Sequence, residues 1–250
     1  VLEQDHPNYE IILVDDGSTD HTGEVISNLI KAAPQVAIRG LSQVNQGVAA
    51  ARNSGILHAR GHYILPLDAD DLIDKYTLQA ASDILDSQPQ TAVVYSDRQD
   101  FGDIQAYWPA GKYQLRYLKY FNQFSYCCMY RKSVWQALGG YRENIDGFDD
   151  WNFWIGLAAN HYQAAYIAKP LLQHRRHRGS QLWGILDSYE RLFAQIILNN
   201  PSVYSASELT AAQQFIDTAK TSSTIALSKR IFVQQYYKKY PKLATQEHLK

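Results

Sequence analysis

The sequence predicts an α/β fold: a doubly wound, mostly parallel sheet followed by a helical C-terminal extension. Three observations predict it. Short apolar, β-branched runs alternate with segments whose apolar residues recur at helical spacing. Acidic and glycine-containing turns sit where runs give way to helices. From Leu182 onward only helical spacing remains.

Taken in order, Glu10-Ile11-Ile12-Leu13-Val14 reads as a strand buried on both faces. Asp16-Gly17-Ser18-Thr19-Asp20 supplies turn and cap chemistry, and Val25, Ile26, Leu29 and Ile30 then mark a helix that Pro34 stops. A second strand is expected over Val36–Leu41. Gly47–Ala59 reads as a helix, apolar at Val48, Ala51 and Leu57, with Gly61 as its C-terminal cap. Tyr63–Leu67 is expected as a third strand, Lys75–Ser87 as a helix and Ala92–Tyr95 as a fourth strand. Phe124–Tyr130 reads as a strand, and Ser133–Leu138 as a short helix closed by Gly139-Gly140. Asp149-Asp150 open an aromatic helix containing Trp151, Phe153, Trp154 and Leu157. Ala164–Leu172 is expected as a strand leading to the basic run His174-Arg175-Arg176-His177-Arg178. Beyond it Trp183, Leu186, Tyr189, Phe193 and Ile196-Ile197 line one face of a helix, with two more expected over Ser207–Ala219 and Ser223–Tyr240. Residues 1–180 are thus expected to form the main domain, and 181–250 a helical extension packed on it.

Composition narrows the function classes. The 250 residues are 46% hydrophobic and 20% charged, which excludes a disordered or low-complexity chain. Lys+Arg 24 against Asp+Glu 25 leaves a formal net charge of -1, so no global field favours nucleic acid and no such partner is expected. The two cysteines, Cys127 and Cys128, are adjacent, which excludes a disulfide framework and a spaced-cysteine zinc site. They are expected as small buried apolar residues. No apolar run approaches the roughly 20 residues that span a bilayer, and a cytoplasmic location is expected. The chain opens at Val1 and its single methionine is Met129, so a trimmed or partial chain is expected, with something missing upstream.

Ligands of an open parallel sheet gather at the carboxyl ends of its strands. Asp15-Asp16 ends the first strand, and Asp68-Ala69-Asp70-Asp71 ends the third. One aspartate at such a place commonly caps the next helix. Three in four residues repel one another unless a cation sits among them. Oxygen ligands on a turn suit Mg²⁺ or Mn²⁺, bound together with substrate phosphates.

Asn8-Tyr9-Glu10-Ile11-Ile12-Leu13-Val14-Asp15-Asp16-Gly17-Ser18-Thr19-Asp20 resembles the nucleotide-binding segment of inverting glycosyltransferases of family 2. Asn45-Gln46-Gly47, Ala51-Arg52-Asn53-Ser54-Gly55-Ile56 and Ala59-Arg60-Gly61-His62-Tyr63-Ile64 resemble its next block, in the same order. Asp68-Ala69-Asp70-Asp71 matches the family's Asp-X-Asp motif, and Leu138-Gly139-Gly140-Tyr141 with Asp149-Asp150 and Trp154 resembles its acceptor-side loop and acidic pair. The resemblance covers about the first 180 residues. It implies a GT-A fold that binds a nucleotide-sugar donor, usually a UDP-sugar, with a divalent metal, and whose opening strand would precede Val1. Asp15 or Asp16 would hold base or ribose, and Arg52 would lie near uracil or diphosphate. Asp70 would ligate the metal, while Asp68 would contact ribose or metal-bound water. Asp150 matches the catalytic base, with Asp149 as the alternative because the family more commonly has Glu-Asp. His174-Arg175-Arg176-His177-Arg178-Gly179-Ser180 resembles a further family segment. There His177 would be a third metal ligand beside Asp68 and Asp70, and Arg175 or Arg176 would neutralise the leaving diphosphate; a solvated loop is the competing reading. Gly140 would frame the acceptor.

The implied reaction is metal-dependent, inverting transfer of a sugar to a hydroxyl of a glycan, lipid-linked or other acceptor, as in polysaccharide biosynthesis. A nucleotidyltransferase and a catalytically silent nucleotide- or glycan-binding module are the alternatives. Phe153 and Trp154 are expected in the core, while Trp151 stands between packing and sugar stacking. Lys229-Arg230-Ile231-Phe232 and Tyr236-Tyr237-Lys238-Lys239-Tyr240 mix basic and aromatic residues, so the C-terminal helices could touch the inner face of a membrane, although a solvated amphipathic helix is the simpler reading.

Overall fold

The chain opens with β1 (Glu10–Asp16), α1 (Thr22–Ala32), β2 (Ala37–Gln43) and α2 (Val48–His58). In the computed structural model, which describes residues 1–177, 182–219, 225–226, 228–231 and 233–234, β1 and β2 pair in parallel. Their register runs from Glu10 opposite Ala37 to Asp16 opposite Gln43. The apolar run of β1 is covered by α2: a Cβ added at Gly55 would lie 3.1 Å from Cγ2 of Val14. Along its other edge β1 pairs with no strand among the described residues.

Two short strands follow, β3 (Tyr63–Ile64) and β4 (Leu72–Ile73), then α3 (Thr77–Ser87) and the long β5 (Thr91–Gly102). β6 (Ala106–Trp108), the single turn α4 (Leu115–Leu118) and β7 (Met129–Arg131) lead to α5 (Lys132–Leu138) and α6 (Asp149–Ala159). The last strand is β8 (Gln163–Arg176), and α7 (Leu182–Asn199) and α8 (Ala206–Thr218) follow it. A second sheet has the order β3-β7-β5-β8-β4, with β6 on β5. Its spine is the parallel β5–β8 pair, from Thr91 opposite Gln163 to Gly102 opposite Arg176, and shorter antiparallel pairings flank it. The α/β class expected from the sequence is what the chain adopts, with a mixed sheet.

Five local expectations change. β1, expected to be buried on both faces, is half-buried along all seven residues, in a sheet of two described strands. The strand expected over Tyr63–Leu67 pairs only at Tyr63-Ile64, since Pro66 has no N–H for a ladder. The strand expected over Phe124–Tyr130 is confined to Met129–Arg131, because Cys128 N donates back to Tyr126 O in a tight turn. Ala59, with extended backbone, ends α2 in place of Gly61, while Oε1 of Glu10 accepts from the backbone N–H groups of Arg60 and Gly61. Finally, His174-Arg175-Arg176 is the end of β8 and not a loop, with Asp100 opposite His174.

The main core is aromatic and centres on α6. Trp151, Phe153, Trp154, Ile155 and Leu157 are all buried in one cluster with Tyr130, Tyr141, Tyr189, Leu192 and Phe193. Trp151 stacks on Phe193 of α7, with ring centroids 5.6 Å apart. The helix is therefore packed on nearly every side, and Trp151 is a core residue. Cys127 and Cys128 are buried and free, and burial pushes both thiols up. α8 starts with a capping box between Ser205 and Glu208. No helix among the described residues is long and apolar enough to cross a membrane. Phe232 and residues 235–240 of the basic-aromatic tail, and Arg178-Gly179-Ser180, lie outside the described residues.

The two tryptophans of α6 differ in one bond. Nε1 of Trp151 donates to Leu118 O at 2.6 Å, whereas Nε1 of Trp154 is buried with no partner among the described residues. Trp→Phe at either site removes similar volume, but only at 151 does it break a hydrogen bond. Urea unfolding is expected to show Trp151→Phe less stable than Trp154→Phe by about 1 kcal/mol; equal losses would contradict this.

Candidate active site

The site starts where Asp16 builds the entry to α2. Its Oδ1 accepts from Gln46 N and Gln43 Nε2, and its Oδ2 accepts from Gly47 N at 2.8 Å. Burial pushes its carboxyl up slightly, and these donors more than offset that, holding it below the usual carboxylate value. Both oxygens of Asp16 are thus occupied by the protein's own loop. Among the described residues Asp15 accepts through Oδ1 only, from Ser18 N. Between them and α2, Gly17 has φ +76°, and a Cβ there would meet Asn45 N at 2.7 Å.

One turn into α2, Arg52 projects into the centre. Its Nη2 donates to Asp68 Oδ1 at 2.9 Å and its Nη1 to Asp149 Oδ2 at 2.5 Å. The guanidinium also lies 5.1 Å from the Tyr126 ring centroid and 5.8 Å from that of Tyr141. The side chain is 12% exposed. Burial disfavours its charge, yet Asp149 and then Asp68 outweigh this and raise its pKa above the ordinary value. For Asp68 the balance goes the other way: burial raises its pKa more than Arg52 lowers it.

The acidic turn divides its carboxylates among different tasks. The Asp71 side chain is fully buried and accepts from His174 Nδ1 at 2.6 Å, Tyr126 Oη at 2.5 Å and Arg175 N at 2.6 Å. Burial alone would raise its pKa, but these donors lower it below the usual value. Tyr126 Oη in turn accepts from Asp68 N at 3.1 Å, which ties the start of the turn to its end. Asp70 points the other way, half-exposed, with Oδ2 3.6 Å from Nε2 of the half-exposed His177. Arg175 donates its Nε to Asp70 O and lies over Phe101.

Opposite the turn, α6 begins at the acidic pair. Asp149 is buried against Arg52. Asp150 accepts from Asn122 Nδ2 at 3.0 Å, and burial together with the charge of Asp149 pushes its pKa up to about 6. The loop before α6 is pinned by Asn53, the residue after Arg52. Its Nδ2 donates to Tyr141 O and Glu143 Oε1, both at 2.9 Å, and its Oδ1 accepts from Tyr141 N and Trp135 Nε1. Gly140 makes room for this amide.

Of the residues singled out from sequence, Arg52, Asp68 and Asp149 meet directly, and Asp70 meets His177. Asp150 stands beside Asp149, and Gly140 faces Asn53. Asp15 and Asp16 lie at the end of β1. Among the described residues no three His, Cys, Asp or Glu side chains cluster closely enough to hold an ion unaided. The donor set at Asp70 and His177, a carboxylate oxygen and an imidazole nitrogen, nonetheless fits Mn²⁺ or Mg²⁺ bound through few protein ligands and completed by substrate phosphates and water. The sequence assigned no individual role to Asn53, Tyr126, Asp71 and His174. Asp71 was visible as the third carboxylate of the turn and Asn53 as the neighbour of Arg52; Tyr126 carried no signal.

A family model described as glycosyl transferase family 2 matches residues 1–142. An uncharacterized glycosyltransferase of Haemophilus influenzae is 49% identical over 72 residues, 29% of this chain and 28% of that protein. The matched segments span only 20–29% of the first curated relatives. Among solved structures, Staphylococcus aureus TarS 1-349 in complex with UDP-GlcNAc superposes with TM-score 0.62 at 20% identity, covering 93% of this chain and 74% of that one. A mannosyltransferase of Pyrobaculum calidifontis, in complex with GDP-Man and Mn²⁺, gives TM-score 0.62 at 18% identity over 99% and 71%. The fold is of the GT-A type.

Gly140 tests the pinned loop. Its φ is +80°, and an added Cβ would lie 2.9 Å from Asn53 Oδ1 and 3.3 Å from Trp135 Nε1. Gly139 has φ +75° and ψ 25° with no described atom within 4 Å of an added Cβ, so there alanine meets left-handed backbone strain alone. Gly140→Ala is expected to cost about 1–3 kcal/mol and to lower Tm further than Gly139→Ala in a thermal melt. Equal melting temperatures for the two would mean that the Asn53 contact is not tight.

Proposed function

The chain belongs to glycosyl transferase family 2, and on that premise we propose that it moves a sugar from a nucleotide diphosphate, a UDP-sugar first, to an acceptor hydroxyl with inversion. One observation carries the reading: Arg52 joins Asp68 of the strand-end turn to Asp149 of the acceptor-side pair within hydrogen-bond distance of both. A donor at the strand ends would therefore lie next to a carboxylate suited to take a proton. The neighbours in complex with UDP-GlcNAc and with GDP-Man and Mn²⁺ support this class of donor.

In this reading Asp15, with one oxygen left over from the Ser18 turn, holds base or ribose. Asp16 shapes the pocket through the 43–47 loop. Arg52 faces the diphosphate side, and Arg175 adds positive charge near Asp70. Asp70 and His177 would hold Mn²⁺ or Mg²⁺, which supplies positive charge to the leaving diphosphate when bound. Asp68 stays with Arg52 and the ribose side. The acceptor oxygen attacks the anomeric carbon, the bond from that carbon to the diphosphate oxygen breaks, and its electron pair leaves with the diphosphate. Asp150 takes the hydroxyl proton. Its place at the amino end of α6 favours the carboxylate, while burial and Asp149 raise its pKa to about 6, near the working range of a general base. Asp149, paired with Arg52, supplies the charge that tunes it.

Release of UDP from UDP-sugars in the presence of Mn²⁺ and acceptor tests the activity; no release from any UDP-, GDP- or dTDP-sugar would overturn it. A base must be unprotonated, so kcat/KM is expected to fall as pH drops through about 6. Asp150→Asn should lose on the order of 10²–10⁴-fold in kcat with donor Kd unchanged, and Asp149→Asn should lose less. Turnover of Asp150→Asn within a few-fold of the parent would remove Asp150 from this role.

The metal assignment has its own readout. Calorimetric titration of Mn²⁺ into the UDP-saturated protein should show binding that Asp70→Ala abolishes and His177→Ala weakens. Unchanged Mn²⁺ affinity in Asp70→Ala would exclude the turn as the metal site.

A further inference from the structure

A cavity of about 200 Å³ opens between α5, α6 and the turn that follows α7, outside the Arg52 cluster. Two amides from residues nine-tenths buried line it, Asn152 at 5% and Asn200 at 8% exposure. Their orientation is fixed by their bonds. Nδ2 of Asn200 donates to Ile196 O and to Asn152 Oδ1, both at 2.9 Å. Among the described residues, that leaves the Asn200 carbonyl Oδ1 without a donor and the Asn152 Nδ2 without an acceptor. Neither atom is sealed from solvent, since Trp154 Nε1 is the buried orphan among the described residues; Asn200 Oδ1 lies 3.8 Å from where a Cβ on the lining Gly156 would sit, and Asn152 lines the same space. Arg142 stands at the rim, exposed, with its guanidinium in no hydrogen bond or ion pair to a described residue. Phe153 and Leu138 supply apolar wall.

An unmatched amide donor and an unmatched amide acceptor on two hydrogen-bonded neighbours suit the hydroxyls of a sugar, each of which can accept and donate. Apolar wall on another side suits the C–H face of a sugar ring. The geometry points to a second saccharide site, which seats a sugar unit of the acceptor glycan away from the transfer centre. Asn152 lies two residues beyond Asp150 on α6, and Gly140 lines the cavity while its opposite side meets Asn53. A glycan held here is thus anchored to the same loop and helix that would present the acceptor. Its role in transfer rests on the proposed activity; its existence as a binding site does not.

Gly156 provides the test. It lines the cavity, and an added Cβ would lie 3.8 Å from Asn200 Oδ1, an ordinary contact, so alanine fills space without a clash. Saturation-transfer NMR on the full chain, without donor, would use methyl glucoside, N-acetylglucosamine and glucuronate at millimolar concentration. At least one sugar should give a signal that survives saturation with UDP and drops about tenfold in affinity in Gly156→Ala, whose thermal melt should stay at or above that of the parent. Arg142→Ala should weaken glucuronate more than the neutral sugars. Asp150→Asn should leave the signal unchanged. No transfer to any of the three sugars, or a signal equal in Gly156→Ala and the parent, would overturn the site and show the amides to be matched by water alone. That failure would leave the UDP-release assay untouched, so the two readings stand or fall separately.

Discussion

A guanidinium shut away from water needs carboxylates around it, and Arg52 sets that demand at the centre of this fold. Its charge is kept by Asp149 from α6 and Asp68 from the acidic turn. Three separate stretches of chain must therefore arrive at one place: α2 on its strand pair, the turn after β3, and the start of α6. Breaking such a pair by removing one partner typically costs 3–5 kcal/mol, because the remaining charge stays buried and alone. The rings of Tyr126 and Tyr141 close over the cation and leave little room for water to replace a lost partner.

Around that cation, chemically identical side chains take different states. Asp149 is the counter-ion. Asp150, one residue on, is buried and sits beside a like charge, so its proton is held more tightly. Asp71 is as deeply buried as any of them, but three donors stabilise its charge and its pKa falls. Asp16, nearly at the surface, is also lowered, by the loop that it organises. Environment, and not residue type, separates the carboxylates whose charge is held by donors of the protein from the one whose proton is held instead.

Much of this was legible in the sequence where local pattern decides the outcome. The apolar run of β1, the helical spacing of α1 and α3, the Gly139 stop of α5 and the acidic opening of α6 follow from period and cap chemistry. So does the gathering of aspartates at strand ends. What pattern could not show were partners distant in sequence. Asp71 reads as one more metal-turn carboxylate until His174, 103 residues away, and Tyr126 are seen to surround it. The end of β8 reads as a basic loop because its charged residues hide a strand that pairs with β5 and is held by buried Asp100. Short strands such as β3 and β7 have too few residues to carry a period at all.

The pairing of Arg52 with Asn53 has a consequence for the loop between α5 and α6. Consecutive helical residues point about 100° apart, so α2 reaches in two directions from neighbouring positions. Asn53 holds the beginning of the loop at Tyr141 and Glu143, and Arg52 holds its end at Asp149. Only residues 144–148 lie between the two anchors, and closing so short a segment leaves little conformational freedom to lose when something binds against it. Gly147 with φ +112° and Phe148 with φ +58° then turn the chain into α6. A helix packed on nearly every side cannot move to meet a ligand, so the orientation of the acidic pair at its amino end is set before any ligand arrives. What can vary is the surface on which the loop rests, and that surface continues into the cavity lined by Asn152 and Asn200.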